Sequence, residues 1–149
     1  MNNRRRHTAE RPTARAFTIV EIIVVIVIIG VLATLIAPRL LSRVGKAKSA
    51  TALSNANTIA QAVNTFVLDT GGVVPGGPGL GFLVERPADV DAAKWNGPYL
   101  NNADQLKDPW GNDYILIAPG QKNADFDIVS YGADGKPGGE GDNADVINK

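Results

Sequence analysis

From Phe17 to Ala37 the chain consists of Phe, Ile, Val, Leu and Ala, interrupted only by Thr18, Glu21, Gly30 and Thr34. As an α-helix rising ~1.5 Å per residue, this stretch spans on the order of 30 Å, the thickness of the hydrocarbon layer of a bilayer. Arg4, Arg5, Arg6, Arg11 and Arg15 precede it with Glu10 as the only acid among them. The positive-inside rule therefore leaves the N-terminus in the cytoplasm and sends the chain from Arg39 onward to the far side. A cleaved secretory signal peptide is the plainer reading. Against it, the run is long for a signal core. A cut near Ala37 would also put Leu35 where a small residue is needed, and Glu21 interrupts what should be purely apolar.

A carboxylate within the hydrocarbon costs roughly 2.5 to 3.5 kcal/mol, so an acid there calls for a named partner. If the chain were cut between Ala16 and Phe17, the new α-amino group of Phe17 would lie one helical turn from Glu21, at the positive end of the helix dipole. Amine and carboxylate would then neutralise one another. The alternative is a Glu21 hydrated at headgroup level.

Composition narrows the remaining options. The 149 residues allow one ordinary domain, and the formal net charge of zero conceals a basic start and a net acidic remainder. That distribution argues against nucleic acid, which requires a basic face on the folded part. Without cysteine there is no disulfide framework and no thiolate metal site, and the lone histidine, His7, lies in the basic tail, away from any triad or zinc site.

The segment "AFTIVEIIVVIVIIGVLATLIAP", residues 16 to 38, resembles the N-terminal signature of type IV pilins and pseudopilins: a small residue, a phenylalanine, an acid five positions into the mature chain, then an apolar helix ending near a proline. The resemblance implies that a membrane prepilin peptidase removes residues 1–16 by cutting between Ala16 and Phe17 and methylates the Phe17 amine. It implies further that Glu21 pairs with the Phe17 amine of a neighbouring subunit in a filament. The family usually has glycine before the cut. Ala16 is small enough that slower, not absent, processing is expected.

Beyond Pro38, Leu41, Val44, Ala52, Ile59, Ala62, Val63, Phe66 and Val67 recur at helical intervals among polar residues, which predicts an amphipathic helix to about Leu68, stopped by Asp69-Thr70-Gly71-Gly72. The stretch between Gly30 and Pro38 is the expected place for a kink or local melting. "GGVVPGGPGLG", residues 71 to 81, reads as an irregular loop; it lacks the Lys-Ser/Thr pair of a phosphate-binding loop. Asp108-Pro109-Trp110-Gly111-Asn112 is a turn signal, Tyr114 to Ala118 a strand, and "DFDIVSYG" its antiparallel partner. So small a hairpin needs the helix as a floor, with Trp95, Tyr99 and Trp110 filling the join.

The last segment, "YGADGKPGGEGDNADVINK", concentrates charge. Between Asp125 and Asp145 six acids, Asp125, Asp127, Asp134, Glu140, Asp142 and Asp145, face Lys136 alone, on a chain whose glycines let it wrap. Such a cluster is either a solvated acidic tail or the seat of a hard cation, which removes the repulsion; Ca²⁺ takes six to eight oxygens from carboxylates and carbonyls. The EF-hand order of ligands is absent. Together with "DPWGNDYILIAPG", the segment resembles the major pseudopilin family of the type II secretion system, the general secretion pathway protein G family, over nearly all of the chain from Phe17. That resemblance implies a structural Ca²⁺ in the loop, with Asp134 and Asp145 as side-chain ligands, Asp142 and Asn143 as possible ones, and the Tyr131 carbonyl as a backbone donor. Lys149 stands where the family usually ends on an aromatic residue.

The expected protein is α+β and pilin-like: a cleaved leader, residues 1–16; a transmembrane helix and filament core, 17–38; an amphipathic helix, 39–70; and a head with a small antiparallel sheet and the calcium loop, 71–149. It resides in the inner membrane with its head in the periplasm. It performs no chemistry and polymerises with itself into a short helical pseudopilus that helps move folded proteins across the outer membrane. Its implied partners are minor pseudopilins, the prepilin peptidase and an ATP-driven inner-membrane assembly platform, with no nucleic acid. The alternative is a type IV pilin for adhesion, motility or DNA uptake, although those commonly close the head with a disulfide. A tethered periplasmic enzyme would need a nucleophile, base and orienting group, and none is visible. A secreted calcium-binding module would start near Pro38.

Overall fold

The structure, a computed structural model, describes residues 17–149 other than Val73, and for residues 37–42 the backbone alone. The leader and Ala16 therefore lie outside the described residues, as does the side chain of Leu41. The chain divides into two units at Arg39.

Helix α1 runs from Ile19 to Thr70 and contributes to both units. Its start has a local cause. The Thr18 carbonyl accepts the first helical bond, from the Ile22 amide at 3.3 Å, and the Thr18 hydroxyl accepts the Glu21 amide at 3.2 Å, so Thr18 acts as the N-cap and relieves one of the orphan donors of the first turn. Over Ile19–Ile36 the mean hydropathy is 3.2 and none of the stretch is buried, so this is a helix long and apolar enough to cross a membrane. Helical backbone continues through Gly30 and Pro38. The local melting expected between them does not occur in the single subunit.

In the second unit, the face of α1 made by Ala52, Ala56, Ile59, Ala60, Val63 and Phe66 is buried, at the spacing of one helical stripe. Alanines at 52, 56 and 60 let other backbone approach closely. Val44 was expected on this stripe, but it is 49% exposed; the residue covered by the head at this level of the helix is its neighbour Gly45, against which Asp142 packs. Gly71, at φ 60°, closes the helix in the left-handed conformation that glycine adopts without strain.

The head is a three-stranded antiparallel sheet of β1 (Ile115–Ile117), β2 (Asp127–Ser130) and β3 (Val146–Ile147), in the order β1-β2-β3. Ile115 pairs with Val129 and Ile117 with Asp127, the hairpin read from the sequence. The third strand was not foreseen: Ser130 pairs with Val146, and the pairing is prolonged by side chain, since Asn148 Oδ1 accepts the Ile128 amide at 2.7 Å. A two-residue strand carries too little pattern to be recognised alone.

Leu116 and Ile128 pack on the α1 stripe with Leu80, Phe82, Leu83, Leu100, Tyr114 and Phe126. The Tyr114 hydroxyl donates to the Ala52 carbonyl at 3.0 Å and so fixes the sheet against the helix; burial pushes the phenol up to about 12. Trp95 and Tyr99 join this cluster edge to face, with centroids 6.0 Å apart. Trp110 does not. It is half-buried, with Lys48 Nζ 6.0 Å from its ring centroid. The glycine-rich segment ending at Gly81 also contributes more than expected, because Leu80 is buried in the core and the Pro78 carbonyl accepts the Leu116 amide at 3.2 Å along the outer edge of β1.

Candidate functional site

Two places carry chemistry that packing alone does not require. The first is the start of α1. Phe17 is exposed, and Glu21 is the single acid in the first turn of an otherwise apolar helix. Thr18 and Glu21 are the residue types of a capping box at its spacing, and the amide-to-hydroxyl half of that box is formed. The pattern T-x-x-E was a signal open to sequence reading and went unused there.

The second place is the acidic loop between β2 and β3. It leaves β2 through the short turn Gly132–Asp134 and re-enters the sheet through Gly141–Asn143. The two turns press together. A Cβ on Gly132 would lie 2.7 Å from the Asp142 carbonyl oxygen and 2.9 Å from that of Asn143, and one on Gly139 would lie 2.6 Å from the Asn143 carbonyl oxygen. Gly132 also has φ 64°, so glycine is required there for space and for conformation.

Of the predicted ligands, Asp134 and Asp145 each bond a backbone amide of the same glycine-rich segment: Asp134 Oδ1 accepts the Lys136 amide at 3.1 Å, and both oxygens of Asp145 accept the Gly138 amide at 3.0 Å. Tyr131 immediately precedes the turn at Gly132, and the backbone of Asp142 and Asn143 packs over Gly132. The Asp142 side chain turns elsewhere, against Gly45 of α1, where a methyl group would overlap its carboxylate. Among the described residues no three acidic or histidine side chains are gathered as a metal cluster. The donors on offer are instead two carboxylates on one glycine-rich segment together with packed backbone carbonyls. That all-oxygen set fits a hard cation and no soft one.

Asp127, counted with the acidic cluster in the sequence, belongs to another structure. It is fully buried. Its Oδ2 accepts the amides of Gln121 at 2.6 Å and Lys122 at 2.8 Å, and its Oδ1 accepts the amide of Asn123 at 2.9 Å and the Asn123 side chain at 2.8 Å. Desolvation raises its pKa, but the amides of Lys122, Asn123 and Gln121 and the Asn123 side chain outweigh it, and the net result lies below the usual carboxylate value. This acid ties the loop after β1 to β2 and is not available to a ligand.

With this geometry established, comparisons with known proteins become informative. Residues 39–149 match the family described as type II secretion system (T2SS), protein G, and residues 11–37 match the prokaryotic N-terminal methylation motif. The chain is 40% identical to the type II secretion system core protein G of Pseudomonas aeruginosa, over 93% of this chain and 97% of the relative. It is 37% identical to that of Vibrio cholerae over 89% of each, and 42% identical to that of Escherichia coli K12 over 86% of this chain and 88% of the relative. Among solved structures it resembles the major pseudopilin from the type 2 secretion system of enterohaemorrhagic Escherichia coli, with a TM-score of 0.57 and 31% identity, covering 72% of this chain and 87% of the other.

Proposed function

We propose, from the premise that this chain belongs to the type II secretion system protein G family, that it is the structural subunit of a type II secretion pseudopilus and acts by polymerising. The observation that carries this is similarity to core protein G along nearly the whole chain, on a fold with one exposed apolar helix and a small head. The relatives are secretion proteins, which disfavours the adhesive or motility pilin. A subunit of this kind needs no reaction centre: the apolar helix provides the filament core and the head its outer surface. Deleting the chain from its host should leave exported enzymes folded in the periplasm, and re-expression should return them to the medium. Secretion unchanged by the deletion would overturn the reading.

The finer steps belong to the same proposal. Before assembly the apolar helix lies in the inner membrane, with the basic leader in the cytoplasm and the head in the periplasm. A prepilin peptidase cuts between Ala16 and Phe17 and the Phe17 amine is methylated, in keeping with the methylation motif over residues 11–37. An assembly platform then extracts subunits into the homopolymer, which minor pseudopilins accompany. Mass spectrometry of the assembled protein should find N-methylated phenylalanine at its start; a start near Pro38 would mean export by an ordinary signal peptide.

The acidic loop holds a structural Ca²⁺ in this proposal, through Asp134 and Asp145, with Asn143, the Tyr131 carbonyl and the backbone carbonyl of Asp142 as further donors, the Asp142 side chain being turned to Gly45. What supports it is that Asp134 and Asp145 both bond amides of the segment 136–138, together with the close packing of the two glycine-rich turns. The bound ion would supply positive charge that offsets carboxylate repulsion and would stabilise only the folded loop. At a free concentration 100 times its Kd that linkage is worth about 2.7 kcal/mol. Chelation should therefore lower the Tm of the head by ~10 °C, and restored Ca²⁺ should recover it. A Tm indifferent to chelator would remove the ion from the proposal.

A further inference from the structure

The Asp108–Asn112 turn reaches beyond the chain reversal it makes ahead of β1. Asp108 is only 6% exposed. Its Oδ1 accepts the amides of Trp110 at 3.0 Å and Asn112 at 2.9 Å, which closes the turn. Its Oδ2 accepts the hydroxyl of Ser130, fully buried at the end of β2, at 2.6 Å. Ser130 Oγ in turn accepts the Gly132 amide at 3.3 Å, and Asn112 Nδ2 donates to the Gly132 carbonyl at 2.7 Å. Both backbone polar groups of Gly132, where the acidic loop begins its first turn, are thus held by side chains anchored outside it.

Peptide groups are planar and trans. Fixing the Gly132 N–H therefore fixes the opposite direction of the Tyr131 carbonyl, and fixing the Gly132 carbonyl fixes the Ala133 amide that leads to Asp134. On its other side Gly132 packs against the backbone of Asp142 and Asn143. Asn112 also lies beside Gly135, where an added Cβ would come within 3.2 Å of its Oδ1.

We propose that Asp108, Ser130 and Asn112 are the positioning residues of the acidic loop: they hold the peptide groups on either side of Gly132, so that the loop has its cation-binding conformation before a cation arrives. The proposal rests on the calcium reading for its functional sense, although the positioning itself does not need the ion. Asn112→Ala tests it with the least disturbance, because the side chain is half-buried and makes one hydrogen bond, to Gly132, while its backbone bonds to Asp108 remain.

In the full chain in detergent, titrated with CaCl₂ by calorimetry, Asn112→Ala should weaken Kd about tenfold, the effect typical of residues that orient ligands. In chelator, hydrogen exchange over residues 131–138 should quicken by a similar factor while the α1 amides from Ile59 to Phe66 keep their protection. Ser130→Ala should act in the same direction. Wild-type Kd together with wild-type loop exchange in both variants would overturn the proposal, as would exchange that rises equally in α1. If the wild-type chain takes up no Ca²⁺, the calcium reading fails, and loop exchange in chelator decides the positioning role by itself.

Discussion

A Glu21→Ala chain should insert in the membrane as well as the wild type and build almost no filament. Insertion cannot suffer, because removing the carboxylate from the apolar helix removes a cost of roughly 2.5 to 3.5 kcal/mol. The helix start is also retained: the cap runs from the Glu21 backbone amide to Thr18 Oγ1, and alanine keeps that amide. If Glu21 pairs with the Phe17 amine of an adjoining subunit, as the family resemblance implies, the substitution removes that partner. A charge left unpaired in a low-dielectric packing costs about 3 to 5 kcal/mol, which lowers each subunit addition by a factor of roughly 100 to 4,000. Pelleting of sheared filaments from cells, with the membrane fraction as the control for insertion, measures both quantities. Filaments at wild-type yield would show that the acid is merely hydrated at the surface and sets nothing.

The second large effect should come from Asp127→Asn, which ought to destabilise the head by on the order of 3 kcal/mol. Both carboxylate oxygens accept two N–H groups each in a fully buried site. An amide of the same shape offers one acceptor oxygen and turns an NH₂ group toward two other donors. Thermal unfolding in detergent reads the loss directly, and a Tm within a degree or two of wild type would contradict it. The pH dependence follows from the same bonds. The folded pKa is depressed below the ordinary carboxylate value. The stabilisation is thus complete above the unfolded value and is lost as pH falls through the lower, folded one. The acid side of the wild-type stability profile should lose part of its slope in Asp127→Asn.

These two acids also show where sequence reading succeeds and where it stops. Glu21 is legible because its neighbours are uniformly apolar over a bilayer's length, and a lone charge in such a run raises its own question. The hairpin of β1 and β2 is legible because turn residues bracket two apolar runs. Asp127 misleads for the opposite reason. It lies in a stretch rich in acids, and composition cannot separate a carboxylate turned to solvent from one enclosed by the amides of residues 121–123. The same holds for Trp110, an aromatic placed in the core by type and found beside Lys48. Strand β3 and the bond from Asn148 to Ile128 escaped notice because two residues carry no period.

Periodicity and charge placement by themselves determined the membrane-length helix, its basic flank, the amphipathic continuation and the acidic glycine-rich end, since each is a property of residues adjacent in the chain. Only the tertiary structure decided which acids are spent on backbone amides, which glycines yield space to Asp142 and Asn143, and how the Asp108 turn reaches Gly132. Those outcomes depend on single directional hydrogen bonds and close contacts, some within one loop and some between distant segments, and a bond of that kind leaves no repeating pattern along the chain.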